Sequence, residues 1–221
     1  MASEFNLSKG QLAERKLLVT IAEWYKYTLL TSQPSDWSSN YTNYYTKSGS
    51  TYVPVTGAEA PTWAASTYYS RTDVRQILGT RTEDSSIEYN ADMETTTDIL
   101  GANYTDVNKT QPQQSFDPFY VMGGSKLAEL LNDIRRRNAL TELNQFTIYV
   151  VTKFIGDATN GYEAEAHTGC TIAYTAIGGD TRVNFPIEVH FSNDYNGSGA
   201  PATGTIDKIA EDFEFTPDVA A

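Results

Sequence analysis

A single cysteine, Cys170, stands in this chain of 221 residues, so no disulfide can form within it. His167 lies three residues before it, but no second pair of ligands completes a metal site, and the reading of Cys170 is a buried thiol. Basic residues are scarce: 16 lysines and arginines stand against 28 acids, for a net charge of −12 and a pI near 4.5. That balance argues against a protein that grips a phosphate backbone. It does not exclude DNA passing by, because an acidic bore repels DNA and denies it binding wells. Long apolar runs are missing as well. The start, MASEFNLSKGQLAERK, has no signal-peptide core, and no later run approaches a membrane span, so the expectation is a protein made in a cytoplasm with no membrane partner. Five Asn-x-Ser/Thr triplets, at Asn6, Asn40, Asn103, Asn108 and Asn196, carry little weight in that setting. There is no GxSxG, no HExxH and no phosphate loop, and His190 has no nucleophile nearby. The expectation is no enzyme, no cofactor and no metal.

What is present reads mostly as strands. Residues 16–30 form one, with Leu17, Val19 and Ile21 continuing into Tyr25 and Tyr27. Residues 32–71 have a different composition, with Trp37, Trp63 and six tyrosines but almost no large aliphatics. Within it, residues 44–55 read as a hairpin turning at Ser48-Gly49-Ser50, and Tyr44-Tyr45-Thr46-Lys47 recurs weakly as Tyr68-Tyr69-Ser70-Arg71. The chain is therefore divided into a main domain, 1–31 and 72–221, and an outward-facing insertion, 32–71, that packs around its own tryptophans.

The stretch 83–119 carries the most information. Ile87, Tyr89, Ala91 and Met93 alternate with Glu88, Asn90, Asp92 and Glu94, which puts an acidic row on one side of a continuous strand. A second strand from Tyr104 adds Asp106 and Asn108 before QPQQSFDP ends the pair. Alternate acids on an exposed strand also suit a plain solvated face, and a carboxylate pair or cation site is the less favoured reading. Next comes one clear helix, opened by Gly123-Gly124 and capped by Ser125, with Leu127, Leu130, Leu131 and Ile134 on one face and Arg135, Arg136 and Arg137 in its last turn. Strands follow at 144–155, 169–177 and 182–192. The last alternates Val183, Phe185, Ile187, Val189 and Phe191 against Asn184, Pro186, Glu188 and His190, and Pro186 implies a broken ladder or an edge. Residues 205–215 end the chain as an arm reaching a neighbour or as a last strand of the subunit's own sandwich.

Three segments, GTRTEDSSIEYNADMETTTDILG, TDVNKTQPQQSFDP and GGSKLAELLNDIRRRNALTEL, occur in an order that resembles the major tail tube protein of tailed bacteriophages, in the branch infecting Gram-positive hosts. The resemblance covers residues 79–207, with a weaker match over 1–30. It implies a mainly β subunit, a β-sandwich with one flanking α-helix, that closes into a hexameric ring with an inner β-barrel, the rings stacking into a tube within the virion. The strands around Ile87, Val107, Ile172 and Ile187 are expected to form that inner sheet. Glu88, Asn90, Asp92, Glu94, Asp106, Asn108, Asn184 and Glu188 would line the bore. Ile99, Asn103, Gln111, Gln113, Phe116, Arg135, Arg136, Phe213 and Phe215 would serve contacts between subunits or rings. Expected partners are further copies of the chain, the tail terminator, tape measure and distal tail proteins, and double-stranded DNA in transit. The alternative is a cell-surface or glycan-binding module using the Trp/Tyr-rich segment.

Overall fold

A computed structural model describes residues 7–9, 11–12, 18–79, 85–97, 100, 102–179, 182–192 and 200–218. The chain is mainly β, with a large antiparallel sheet. It divides into two compact units, one of residues 1–23 and 75–221, the other of residues 24–74. Two long strands, β1 (Leu18–Leu29) and β4 (Tyr68–Ile77), contribute residues to both.

In the larger unit β1 is followed across the sheet by β9 (Phe146–Asp157), β10 (Gly161–Tyr174), β11 (Ile187–His190), β8 (Gln113–Phe116) and β5 (Ile87–Glu88). A branch leaves β10 through β12 (Ala202–Ile206) to β13 (Phe215–Pro217). Asp157 sets the β9–β10 turn by accepting from the backbone of Thr159 and Asn160 at 2.7 and 2.8 Å. Those two amides, that of Asn160 foremost, hold its carboxyl below the usual range. The crossing is so close that a Cβ on Gly156 would lie 2.1 Å from the Gly161 carbonyl oxygen, so a side chain there is excluded.

Strand β10 is longer than the periodicity of residues 169–177 suggests. Its first half alternates alanines with glutamates, Ala164 and Ala166 inward, and small residues give a weak apolar signal. The register shifts between His167 and Cys170, where Gly169 takes φ 68°. Before this bulge β10 pairs with β9 and β12; beyond it β10 still meets β9 at Cys170 opposite Phe146 and pairs along its remainder with β11. One strand thereby joins two parts of the sheet.

The core cluster on one face holds Ile21, Tyr149, Val151, Ala164, Ala166, Ile206 and Phe213. The other face of β9 contributes Phe146, Ile148 and Val150, all buried, as are Leu127, Leu131 and Ile134 of the long helix α2 (Lys126–Arg137). Leu130 is half-buried. Ser125 caps α2 by accepting from Ala128 N, and Asn138 closes it in the left-handed conformation. Gln76 anchors the entry: its Oε1 accepts from the Ser125 hydroxyl at 3.0 Å and from Leu127 N at 3.2 Å. A buried charge sits beside the first core. Glu23, 5% exposed, pairs with Arg75 at 2.7 Å and accepts from the Tyr149 hydroxyl at 2.8 Å. Arg75 also donates to the Phe213 carbonyl at 3.1 Å, so the pair is paid for by further hydrogen bonds and ties down the C-terminal segment.

In the smaller unit β2 (Tyr44–Ser48) and β3 (Thr51–Pro54) form the hairpin read from the sequence, and the strand order is β3–β2–β4–β1. The two related Tyr-Tyr segments pair with each other, Tyr45 opposite Tyr69. A single helical turn, α1 (Trp37–Asn40), packs Trp37 against Trp63, Tyr68 and Tyr44 with ring centroids 4.4–5.5 Å apart. Aromatic stacking thus replaces the aliphatic core this unit lacks. The Tyr44 hydroxyl donates to Asp36 at 2.6 Å, which pushes Tyr44 up to about 12 and holds the Asp36 carboxyl low.

Candidate assembly surface

The surface begins at the acidic stretch, and there the expected continuous strand is corrected. Strand β5 covers two residues and pairs with β8, Glu88 opposite Gln113. At Asn90 the backbone turns left-handed, φ 40°, a conformation asparagine tolerates better than most residues. Asn90 Nδ2 donates to Gln111 O at 3.3 Å and Gln111 N to Tyr89 O at 2.9 Å, which closes the kink. The chain then leaves the large sheet. Strands β6 (Asp92–Thr97) and β7 (Asn103–Lys109) form a separate two-stranded sheet. Val107 therefore does not share a sheet with Ile87, Ile172 and Ile187. Its expected place is taken by β8, from the QPQQSFDP segment read as the end of the pair.

The apolar set of that stretch is likewise not under cover: Tyr89 is 60% and Met93 62% exposed. In the β6–β7 ladder Glu94 lies opposite Asp106. Asn103 ends the ladder opposite Thr97, and the register shift between Asp92 and Met93 leaves Asn108 without an opposite residue. Ile99 lies outside the described residues.

The geometry of β5, β8 and β11 brings part of the predicted set together. Gln113 stands between Glu88 and His190, and Ser115 stands opposite Glu188. Alternation puts Glu88, Gln113, Ser115, Glu188 and His190 on one polar face, with Ile87, Gln114, Phe116, Ile187 and Val189 behind it. His190 Nε2 lies 3.4 Å from Glu188 Oε2. Ser85 and Ser86 join Glu88, Gln113 and Ser115 around a polar hollow at this edge. Behind the face Gln114 is buried and accepts from the Thr20 hydroxyl at 2.9 Å.

Other expected residues lie elsewhere. Asn184 accepts from Phe119 N at 2.8 Å and donates to Asp117 at 3.0 Å, which binds two segments of its own chain. Phe116 and Phe213, expected at contacts between subunits, are each 2% exposed and belong to the core, because their strand positions face inward. Phe215 is half-buried against Tyr149, ring centroids 5.4 Å apart, so residues 205–215 run from the end of β12 to the start of β13 within the subunit's own sheet. Pro186 interrupts the ladder rather than marking an edge: β11 begins after it and lies between β10 and β8. At the end of α2, Arg135 donates to Asn132 at 2.8 Å, Arg137 chelates Glu142 at 3.0 and 3.1 Å, and Arg136 is exposed.

Sequence reasoning missed the Glu23–Arg75–Tyr149 group, although an acid at an inward position of β1, two residues after Ile21, was a signal for it. It also missed a tyrosine face on the smaller unit. Tyr27 stacks on Tyr52 with centroids 3.9 Å apart and planes within 6°, and Arg71 and Lys47 lie over Tyr25 and Tyr52 at 4.7 and 5.4 Å. Cys170 is fully buried, and burial pushes its thiol up to about 11, so it is unreactive in the folded chain. No helix among the described residues is long and apolar enough to cross a membrane. In comparisons with known proteins, no family model, no curated protein and no solved structure matches this chain.

Proposed function

We propose that this chain is a structural protein of a phage tail that polymerises as stacked hexameric rings into a tube, an acidic conduit for genome delivery. The observation that carries the reading is the β6–β7 hairpin. A two-stranded sheet is marginal in water by itself, and this one exposes Met93, so a free subunit gains little by holding it. Assembly would supply the missing partners. The polar face of β5, β8 and β11 is the second support: it carries Glu88 and Glu188 over an apolar layer, which suits strands that close with those of neighbours into a water-filled barrel. The net charge of −12 fits a bore that lets DNA slide. The tube's further partners would be the terminator, tape measure and distal tail proteins.

Amide hydrogen exchange tests this. Residues 92–109 should exchange fast in dilute subunits and be strongly protected in concentrated assembled protein, while α2 is protected in both. Equal protection of the hairpin in the two states would remove the main support. The glycan-binding alternative has less to stand on, because Trp37 is 3% exposed and serves as core.

A further inference from the structure

At the β5 edge of the sheet Ser85, Ser86, Glu88, Gln113 and Ser115 line an open hollow of about 220 Å³, far more than the ~15 Å³ that one water needs. Three hydroxyls, an amide and a carboxylate meet there. Among the described residues none of these side chains makes a hydrogen bond or an ion pair. Solvent serves the exposed ones, but the Ser85 hydroxyl oxygen is buried and has no partner. It is the only such side-chain atom among the described residues; the buried Gln114 nearby is paired with Thr20. Native chains leave few buried hydroxyls unmet, and this one stands in the wall of a hollow.

The chemistry of the lining narrows what the hollow can take in. Glu88 repels an anion, and no lysine or arginine is among the lining residues. Small organic ligands are held mainly by apolar and aromatic walls, which these five residues do not supply. Hydroxyl, amide and carboxylate oxygens are instead the hard donors of which calcium takes about six to eight. No three His, Cys, Asp or Glu side chains cluster as metal ligands among the described residues, which excludes a zinc-type cage and any tight calcium site there. Magnesium demands a near-ideal octahedron and sheds water reluctantly, while calcium accepts irregular oxygen shells. A bare calcium ion is also smaller than a water molecule, so it approaches an oxygen that water does not reach. Glu188, opposite Ser115 on β11, adds a second negative charge to the same face.

We infer that this hollow binds one calcium ion through Glu88, the hydroxyls of Ser85, Ser86 and Ser115 and the Gln113 amide oxygen, with water completing the shell. A single carboxylate puts the dissociation constant in the weak range, about 10⁻⁴–10⁻³ M. The site differs from one on the alternate acids Glu88, Asp92 and Glu94, since Asp92 and Glu94 belong to the separate β6–β7 sheet. Strand β5 is the edge of the large sheet and pairs with β8 through two residues, Ile87 and Glu88. An ion shared between residues 85–88 and β8 clamps that edge just before the chain leaves for the hairpin. The inference goes beyond the tube reading and holds for a single subunit.

The test uses the full chain, dilute and shown to be monomeric by light scattering, with calcium chloride alone as the probe. A ligand at ten times its dissociation constant slows opening of the segment that holds it about elevenfold. Amide exchange over residues 85–88 and 113–115 should therefore slow about tenfold in about 10 mM calcium and less than about twofold in the same concentration of magnesium, with α2 unchanged in both. Ser85→Ala removes only an unpartnered hydroxyl, so without calcium it should exchange no faster than wild type, and in calcium it should lose most of the protection. Glu88→Gln should lose it too. Wild-type exchange that calcium leaves unchanged, or that magnesium slows equally, overturns the site, as does full calcium protection in Glu88→Gln. Either result leaves the question of tube formation where it stood, because the subunits are kept apart.

Discussion

Replacing Phe213 by alanine separates two views of the C-terminal segment, an arm lent to a neighbour or part of the subunit's own core. Phe213 is 2% exposed, stacks edge-on against Tyr149 with centroids 4.8 Å apart, and lies under the Arg75 guanidinium at 4.9 Å. Removing a buried phenylalanine ring costs about 3–5 kcal/mol from lost transfer and the cavity left behind. The cation–π contact adds roughly 0.5 kcal/mol, since Arg75 is partly solvated. A loss of about 4 kcal/mol with a urea slope of ~3 kcal/mol/M moves the midpoint down by roughly 1.3 M. The assay must report on the larger unit. All three tryptophans lie in the smaller one, at 24, 37 and 63, so their fluorescence is the wrong probe. Cys170 is the right one: it is silent to a thiol reagent while buried and reacts on unfolding. Dilute subunits pulsed with reagent across a urea series give the midpoint. A shift below about 0.3 M would mean that Phe213 is not packed in the free subunit, and the reasoning fails.

Gln76→Ala should destabilise the larger unit by about 2 kcal/mol, because it leaves the Ser125 hydroxyl and Leu127 N without their shared acceptor; the same thiol assay reads it, and a loss under 0.5 kcal/mol contradicts the anchoring role. The Asp36 carboxyl is held low foremost by the Tyr44 hydroxyl, so its contribution is present above the unfolded value near 4 and is lost as pH falls through the folded one. Tryptophan fluorescence between pH 5 and 2 should therefore show the smaller unit loosening in acid, and Asp36→Asn should remove that part of the pH dependence; an unchanged profile would show the bond to be unimportant. Changing Glu88 and Glu188 to lysine should leave the fold intact, since neither is core, and should slow DNA passage through assembled tubes. Ejection at the wild-type rate in low salt would place both residues outside the bore.

Several of these features were readable from spacing and others were not, for identifiable reasons. Helix α2 was legible because Ser125, the leucines at i, i+3 and i+4, and the arginines of its last turn are local signals that agree. The β2–β3 hairpin was legible from its turn residues. Half of β10 was missed because Ala164 and Ala166 are too small to mark a face. The acidic strand was read as continuous because Asn90 fits an alternating pattern while its backbone breaks it. Phe116 and Phe213 were misplaced for a related reason: alternation tells which residues share a face, and only the tertiary fold tells which face the core covers.

The central claim is polymerisation, and electron microscopy of the purified full-length protein concentrated in low-salt and physiological buffers addresses it most directly. The account predicts hollow tubes built of stacked rings with six-fold end views, formed above a threshold concentration and dissolving on dilution. Discrete particles of subunit size at every concentration, confirmed as monomers by light scattering, would contradict it.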